Sequence, residues 1–341
     1  MDQVRITTNA AETLEAVMAG SRPLFFNKKT GEAQIRRGDG VVVNSALRKD
    51  EWEELDRAVI RAASYPLRAV QDLFARGLTK RLGGLGSLVS EWNTASAMTP
   101  ANVSMTGQSV GNNDRVDYNL AGVPIPVIFK EFTIGRRQLE AARKLGNALD
   151  TVHAEEAARV VAEMMESLLI DGGGFTFNGN TLYGYTNETN RNTATAAAYG
   201  GGDWGTITNV TPTIGGMITA AKADNKFGPY AVYVYTTQFN QAAHSFFTDG
   251  SGQTALQRVM TMPGIASVTE LPTLQDGEVL LVQMTSDVVD WAFVPEYQTP
   301  TVVEWASPDG MSYNFKVLAV GAPRVKSHYD GKSGIVHATA A

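Results

Sequence analysis

The stretch from residue 82 to residue 125 most limits what this chain of 341 residues can fold into. It is rich in Gly, Ser, Thr and Asn and offers few side chains that could seed a core. Long coreless segments are uncommon inside a compact domain, where connections usually run to about 4–6 residues. Two strands are expected, Leu85–Trp92 and Arg115–Leu120, around a polar middle carrying the turn signal Gly111-Asn112-Asn113. An isolated pair of strands is marginal in water. The segment is therefore either disordered or a projecting hairpin that packs on a neighbouring copy of the chain. In the second case the contact candidates are Leu88, Trp92, Val103, Arg115 and Tyr118.

The chain as a whole is ordinary globular material, 43% hydrophobic and 19% charged, too apolar for a disordered protein. Formal net charge is −6. Residues 1–170 carry 21 basic and 21 acidic groups, and 171–341 carry 8 and 14, so the second half holds the whole imbalance. A protein that grips nucleic acid through phosphates needs a basic balance or patch, and neither is visible. The absence of cysteine excludes disulfides and thiolate metal sites. No apolar run reaches 18 residues, so no helical membrane span is expected. The N-terminus lacks the basic and apolar regions of a secretory signal, which points to folding in a cytoplasm without a removed leader.

Periodicity divides the chain further. Residues 1–45 read as an arm, with a helical stretch at Ala10–Ala19, a polar segment at Asn27–Gly40 and a strand-forming triplet at Val41–Val43. Arg48–Ser64 is helical, with Trp52, Leu55 and Val59 on one face and acids in its first turns. Pro66 ends it and opens a second helix through Leu67, Val70 and Phe74. After Pro124 and Pro126, Val127–Ile134 reads as a buried strand, and Arg136–Leu145 as a short helix capped by Gly146. Thr151–Ile170 is the strongest helix, with a broad stripe of Val152, Ala157, Val160, Val161, Met164, Leu168 and Leu169 ending at Asp171-Gly172. Residues 172–206 read as loop.

A compact α/β region follows. It comprises helices at Thr213–Lys222, Gln238–Phe247 and Thr254–Met260, and strands at Ala231–Tyr235, Ser267–Leu271, Glu278–Met284, Val289–Val294, Thr301–Trp305 and Asn314–Val320. Ala322–Ala341 reads as a tail returning to the first helical region. The fold class is α+β.

No constellation carries chemistry. His153, His244, His328 and His337 lack metal-motif spacing and read as surface or capping histidines. Gly331-Lys332-Ser333 echoes the end of a P-loop, but Lys326 stands where the first glycine is required and no helix follows. Gly172-Gly173-Gly174 ends a helix where a phosphate cradle would open one. The pairs Glu53/Glu54 and Glu155/Glu156 read as solvated helix faces, and Tyr230, Tyr233 and Tyr235 as core or sheet face. No catalytic, cofactor-binding or metal residue is assigned, and the chain is not read as an enzyme.

The order of parts is arm, extended hairpin, long helix, compact α/β domain and returning C-terminus. In that order the chain resembles the major capsid proteins of tailed phages with the Hong Kong ninety-seven phage fold, and the encapsulin shells that share it. The likeness is carried locally by Leu47-Arg48-Lys49-Asp50-Glu51-Trp52-Glu53-Glu54-Leu55-Asp56, by Ile125–Gly172 with Phe132-Thr133-Ile134, and by Gly184-Tyr185-Thr186-Asn187. The resemblance implies an N-terminal arm (1–45), N-terminal helices of the P-domain (46–81), an E-loop hairpin (82–125), the P-domain with its spine helix and following loop (126–210), an A-domain (211–318) and a C-terminal return (319–341). It also implies self-assembly into hexamers and pentamers of an icosahedral head around double-stranded DNA. Portal and scaffold proteins, and decoration or cement proteins, would be partners; no membrane or cofactor is implied. The alternative is an encapsulin-type shell around cargo enzymes. Some relatives crosslink lysine to asparagine, but 82–125 contains no lysine, and that chemistry is not carried over.

Overall fold

The computed structural model describes residues 3–5, 25–27, 32–36, 42–64, 67–96, 98–106, 108, 114–145, 151–247, 252–305 and 311–340. The expected helix at 10–19, the breaker at 66, the cap at 146 and the turn at 111–113 lie outside them. The chain divides into two compact units, residues 1–67, 127–165 and 295–321, and residues 68–126, 166–294 and 322–341.

In the first unit, strands β1 (Gln3–Arg5), β2 (Phe25–Asn27), β3 (Glu32–Arg36) and β4 (Val42–Arg48) form an antiparallel sheet in that order. Helix α1 (Lys49–Ser64) follows directly, with Trp52, Leu55 and Val59 buried as their spacing requires. Trp52 meets Phe315 edge-on at 6.1 Å between ring centroids. Phe315 lies on the long strand β17 (Ser312–Val325), which pairs antiparallel with β8 (Val127–Gly135) and β16 (Thr301–Trp305). Helix α3 (Arg136–Leu145) has the bounds its pattern predicts, and Arg143 clamps Glu51 of α1 through two bonds of 2.8 and 2.6 Å.

Two expectations fail here. The strand β8 is not buried throughout: Ile128 and Ile134 face the core, while Val127 and Phe129 are exposed. The long helix α4 (Val152–Asp171) likewise turns Val152, Val160 and Met164 to solvent. Small Ala154, Ala157, Ala158 and Ala162 share its buried face with Val161, Met165 and Leu169. Alanine contributes little to a hydrophobic stripe read from sequence, so the expected stripe was rotated towards the larger residues.

The second unit holds a five-stranded sheet in the order β11 (Asn192–Thr195), β18 (Ile335–Thr339), β14 (Val279–Gln283), β12 (Tyr230–Val234) and β13 (Ile265–Glu270). Every residue of β12 and β14 is buried. That is why they read as unbroken apolar runs. Helix α5 (Val210–Ala223) packs Val210, Ile214, Met217 and Ala221 into one cluster with Val232, Val234, Leu281 and Val336. Helices α6 (Thr236–His244) and α7 (Ala255–Met260) follow β12, and α7 begins with a Thr254/Gln257 capping box. Two segments were misjudged. The C-terminal residues 335–339, expected to return to the first helices, lie between β11 and β14. The stretch read as loop supplies their parallel neighbour β11, along with the short hairpin β9 (Thr176–Phe177) and β10 (Asn180–Thr181).

The end of α4 is held by the segment Gly184–Asn187. Tyr185 N donates to Leu169 O at 3.0 Å and Thr186 Oγ1 to Ile170 O at 2.9 Å, while Asn187 bonds both Asp171 O and Gly184 N. A Cβ on Gly172, which sits at φ +67°, would lie 2.6 Å from Gly184 N, so the close approach demands glycine.

One turn earlier, Glu166 is buried and accepts the N–H groups of Arg68, Ala69 and Val70 at 3.2, 2.6 and 3.2 Å. It thereby caps the short helix α2 (Ala69–Ala75), whose Asp72 accepts the Tyr233 hydroxyl at 3.0 Å. Burial, aided by the charge of Asp72, pushes the Glu166 carboxyl up to about 7 despite the three donors. The fold therefore holds this proton more tightly than the unfolded chain does. Its contribution to stability is complete below the ordinary value of 4.5 and is lost as pH rises through about 7. The expected loss is on the order of 3 kcal/mol. Urea midpoints at pH 5 and pH 8 should show a steeper decline for wild type than for Glu166→Gln; equal slopes would refute the assignment.

Candidate assembly surface

The segment without a core forms a hairpin. Strands β6 (Val89–Ala95) and β7 (Tyr118–Pro124) pair antiparallel from Val89 with Pro124 to Ala95 with Tyr118. Both strands lie about four residues C-terminal of their expected positions. The reason is the base, where tertiary contacts set the register and local pattern does not.

Alternation along β6 puts Ser90 and Trp92 on one side of the strand. Both meet Arg324 of β17: its Nη1 donates to Ser90 Oγ at 3.3 Å, and its guanidinium lies 5.5 Å from the centre of the Trp92 ring. Arg324 is buried and paired with Asp290 of β15 (Val289–Phe293) through bonds of 2.6 and 2.5 Å. Lys326 adds a third bond to the same carboxylate at 2.6 Å. On the return strand, a Cβ at Gly122 would lie 2.6 Å from Asn180 Oδ1, so β7 passes close against β10. Below the hairpin, β5 (Thr79–Arg81) extends the anchorage by pairing parallel with β15.

Beyond that base the hairpin faces water. Val103 is 98% exposed and Tyr118 71%, and Arg115 is also exposed, while Leu88, which precedes β6 at the root itself, is 58% exposed. Leu85, Met98, Met105 and Leu120 of the same segment are exposed as well, and no sequence pattern singles them out, because short polar-rich stretches hide single apolar residues. Trp92 behaves differently. It is half-buried against Arg324 and belongs to the anchor within its own subunit. Single exposed apolar residues are normal, but several on one coreless segment make it a candidate contact surface. Fully burying a residue of this size is worth about 1.5–3 kcal/mol, so five of them supply on the order of 10 kcal/mol before ordering costs.

A cleft of about 480 Å³ lies beside the hairpin base, lined by Trp92, Thr94, Lys226, Asp287, Lys326 and His328 among others. Its charges are largely spent on one another: Lys226 bonds Asp287 at 2.7 Å, and His328 stands 3.7 Å from Asp330. Among the described residues, no group of three or more His, Asp and Glu side chains is placed to hold a metal ion. His337 departs from its expected surface position. It is buried in β18, with Nε2 3.3 Å from a carboxylate oxygen of Glu278.

Residues 42–338 match the family described as a family of unknown function, DUF6260. The chain belongs to it. The type 1 encapsulin shell protein EncA of Myxococcus xanthus (strain DK1622) is 25% identical over 290 residues, 82% of this chain and 90% of that protein. A virus-like particle from Pyrococcus furiosus superposes with a TM-score of 0.59 at 15% identity, covering 84% of this chain and 99% of that one. The capsid of Myoviridae phage XM1 gives 0.58 at 15% identity, covering 80% and 92%. The fold is that of the Hong Kong ninety-seven type capsid and encapsulin-like shell proteins.

The anchor can be tested directly. Asp290→Ala leaves the buried Arg324 without its carboxylate and should lower stability by about 3–5 kcal/mol. It should also expose β6 to limited proteolysis. A variant with wild-type melting and unchanged cleavage would show that the cluster does not hold the hairpin.

Proposed function

We propose that this chain is a shell subunit whose copies bury one another's hairpins, and specifically the major capsid protein of a tailed phage. In this reading hexamers and pentamers close into an icosahedral head around double-stranded DNA. The observation that carries the reading is the coreless hairpin, anchored at its base and bearing exposed apolar side chains beyond it, whose burial another copy of the chain would complete. Repeating one such contact around closed symmetry builds a shell. The net charge of −6 suits a wall that encloses DNA without gripping it.

The division proposed from sequence, with an arm at 1–45, a hairpin at 82–125 and an A-domain at 211–318, belongs to this reading. So do Leu88, Val103, Arg115 and Tyr118 as contact residues, assembly in a host cytoplasm, and portal, scaffold or cement proteins as partners. A second reading, a nanocompartment shell around cargo enzymes, is supported by the likeness to EncA.

Electron microscopy of purified protein tests the common claim, and the contents of the particles separate the two readings: packaged DNA favours the first and a co-purifying enzyme the second. Because Ser90 and Trp92 belong to the anchor, the informative truncation spares them. Joining Trp92 to Ala121, which face each other across the hairpin, through an Asn-Gly turn should leave a folded subunit. That subunit should form no closed particles. Normal shells from it would remove the hairpin from the assembly mechanism.

A further inference from the structure

Two of the exposed apolar side chains of the hairpin segment are methionines. Met98 is 58% exposed and Met105 103%, and they flank Val103 on a stretch outside the strands. The chain has 11 methionines and no cysteine, so thioethers are its side chains open to reversible two-electron oxidation. Met165 and Met217 are fully enclosed, whereas Met164, Met260 and Met311 are exposed outside the hairpin and serve as internal controls that peroxide reaches in free subunits.

We propose that Met98 and Met105 form an oxidation-sensitive pair that decides whether the hairpin can dock on a neighbouring copy. The inference rests on the hairpin reading above and adds a chemical control to it. The oxidant is hydrogen peroxide. A sulfur lone pair attacks one peroxide oxygen, the O–O bond breaks as the S–O bond forms, and the second oxygen leaves as water after taking up the proton of the first. Sulfur loses two electrons and the peroxide gains them. The product is a polar sulfoxide where a flexible apolar side chain stood. Docking against an apolar surface would then strip water from an S=O dipole, at a cost the thioether does not carry. Oxidised free subunits should therefore remain unassembled, whereas docked hairpins should shield the same sulfur atoms.

The experiment treats dissociated wild-type subunits and intact particles with hydrogen peroxide. Sulfoxide is located by peptide mass spectrometry, and the subunits are returned to assembly conditions. The expected result is sulfoxide at 98 and 105 in free subunits, protection of both in particles, and loss of closed particles after oxidation. Treatment with both classes of methionine sulfoxide reductase should restore assembly, and a Met98→Leu, Met105→Leu variant should assemble even after peroxide. Oxidised wild type that assembles normally overturns the proposal, as does a leucine variant that assembles untreated and fails after peroxide. Reductase treatment that leaves the block in place counts against it too. If intact particles show no protection at either residue, the hairpin reading itself falls. If protection is seen without an effect on assembly, only the oxidation control falls.

Discussion

Asp290 holds the root of the hairpin in place. Its carboxylate neutralises Arg324 and Lys326 in a buried setting, and Arg324 passes that fixation to Ser90 and Trp92 at the root of the hairpin. A lone buried guanidinium would cost several kcal/mol, so the three charged groups stand or fall together. The consequence is geometric. A strand pair that would be marginal on its own leaves the subunit at a defined place, with Leu88, Val103 and Tyr118 still facing water. Flexible projections lose affinity through the entropy of ordering, and a fixed root reduces that cost.

Below the root lies a second buried electrostatic arrangement of opposite character. Glu166 satisfies the first N–H groups of α2, but its burial, aided by the charge of Asp72, favours the neutral acid. The chain passes from α2 into β5 and then into the hairpin. Both elements that carry the hairpin's first leg thus depend on buried polar groups, Glu166 for α2 and the Asp290 cluster for β6. Hydrophobic packing builds the sheets, and these polar contacts fix the projection's direction and register.

The helices were legible because their signals are local. Trp52, Leu55 and Val59 recur at helical spacing and are buried as expected, and Arg136–Leu145 is bounded as its pattern required. The buried strands β12 and β14 announced themselves as unbroken apolar runs. Long-range features were not legible. Asp290 and Ser90 sit far from Arg324 in sequence, and no periodicity links them. Nothing in Ile335–Thr339 distinguishes an inserted strand from a tail, since only the free space between β11 and β14 gives it partners. Trp92 looked like an interface residue because a large aromatic in a polar stretch reads as one, whatever cation waits beneath it.

By itself the sequence determined that residues 82–125 cannot bury themselves, since their composition supplies too little apolar area to offset the entropy of ordering. It also determined, through the lack of cysteine, that no disulfide compensates. Only the tertiary structure decided that the segment is a hairpin, where its strands begin, and which apolar groups remain uncovered. Those outcomes depend on which side chains from distant parts of the chain meet at the base. Composition can show that a surface lacks a core, but a three-dimensional arrangement is needed to say where that surface points.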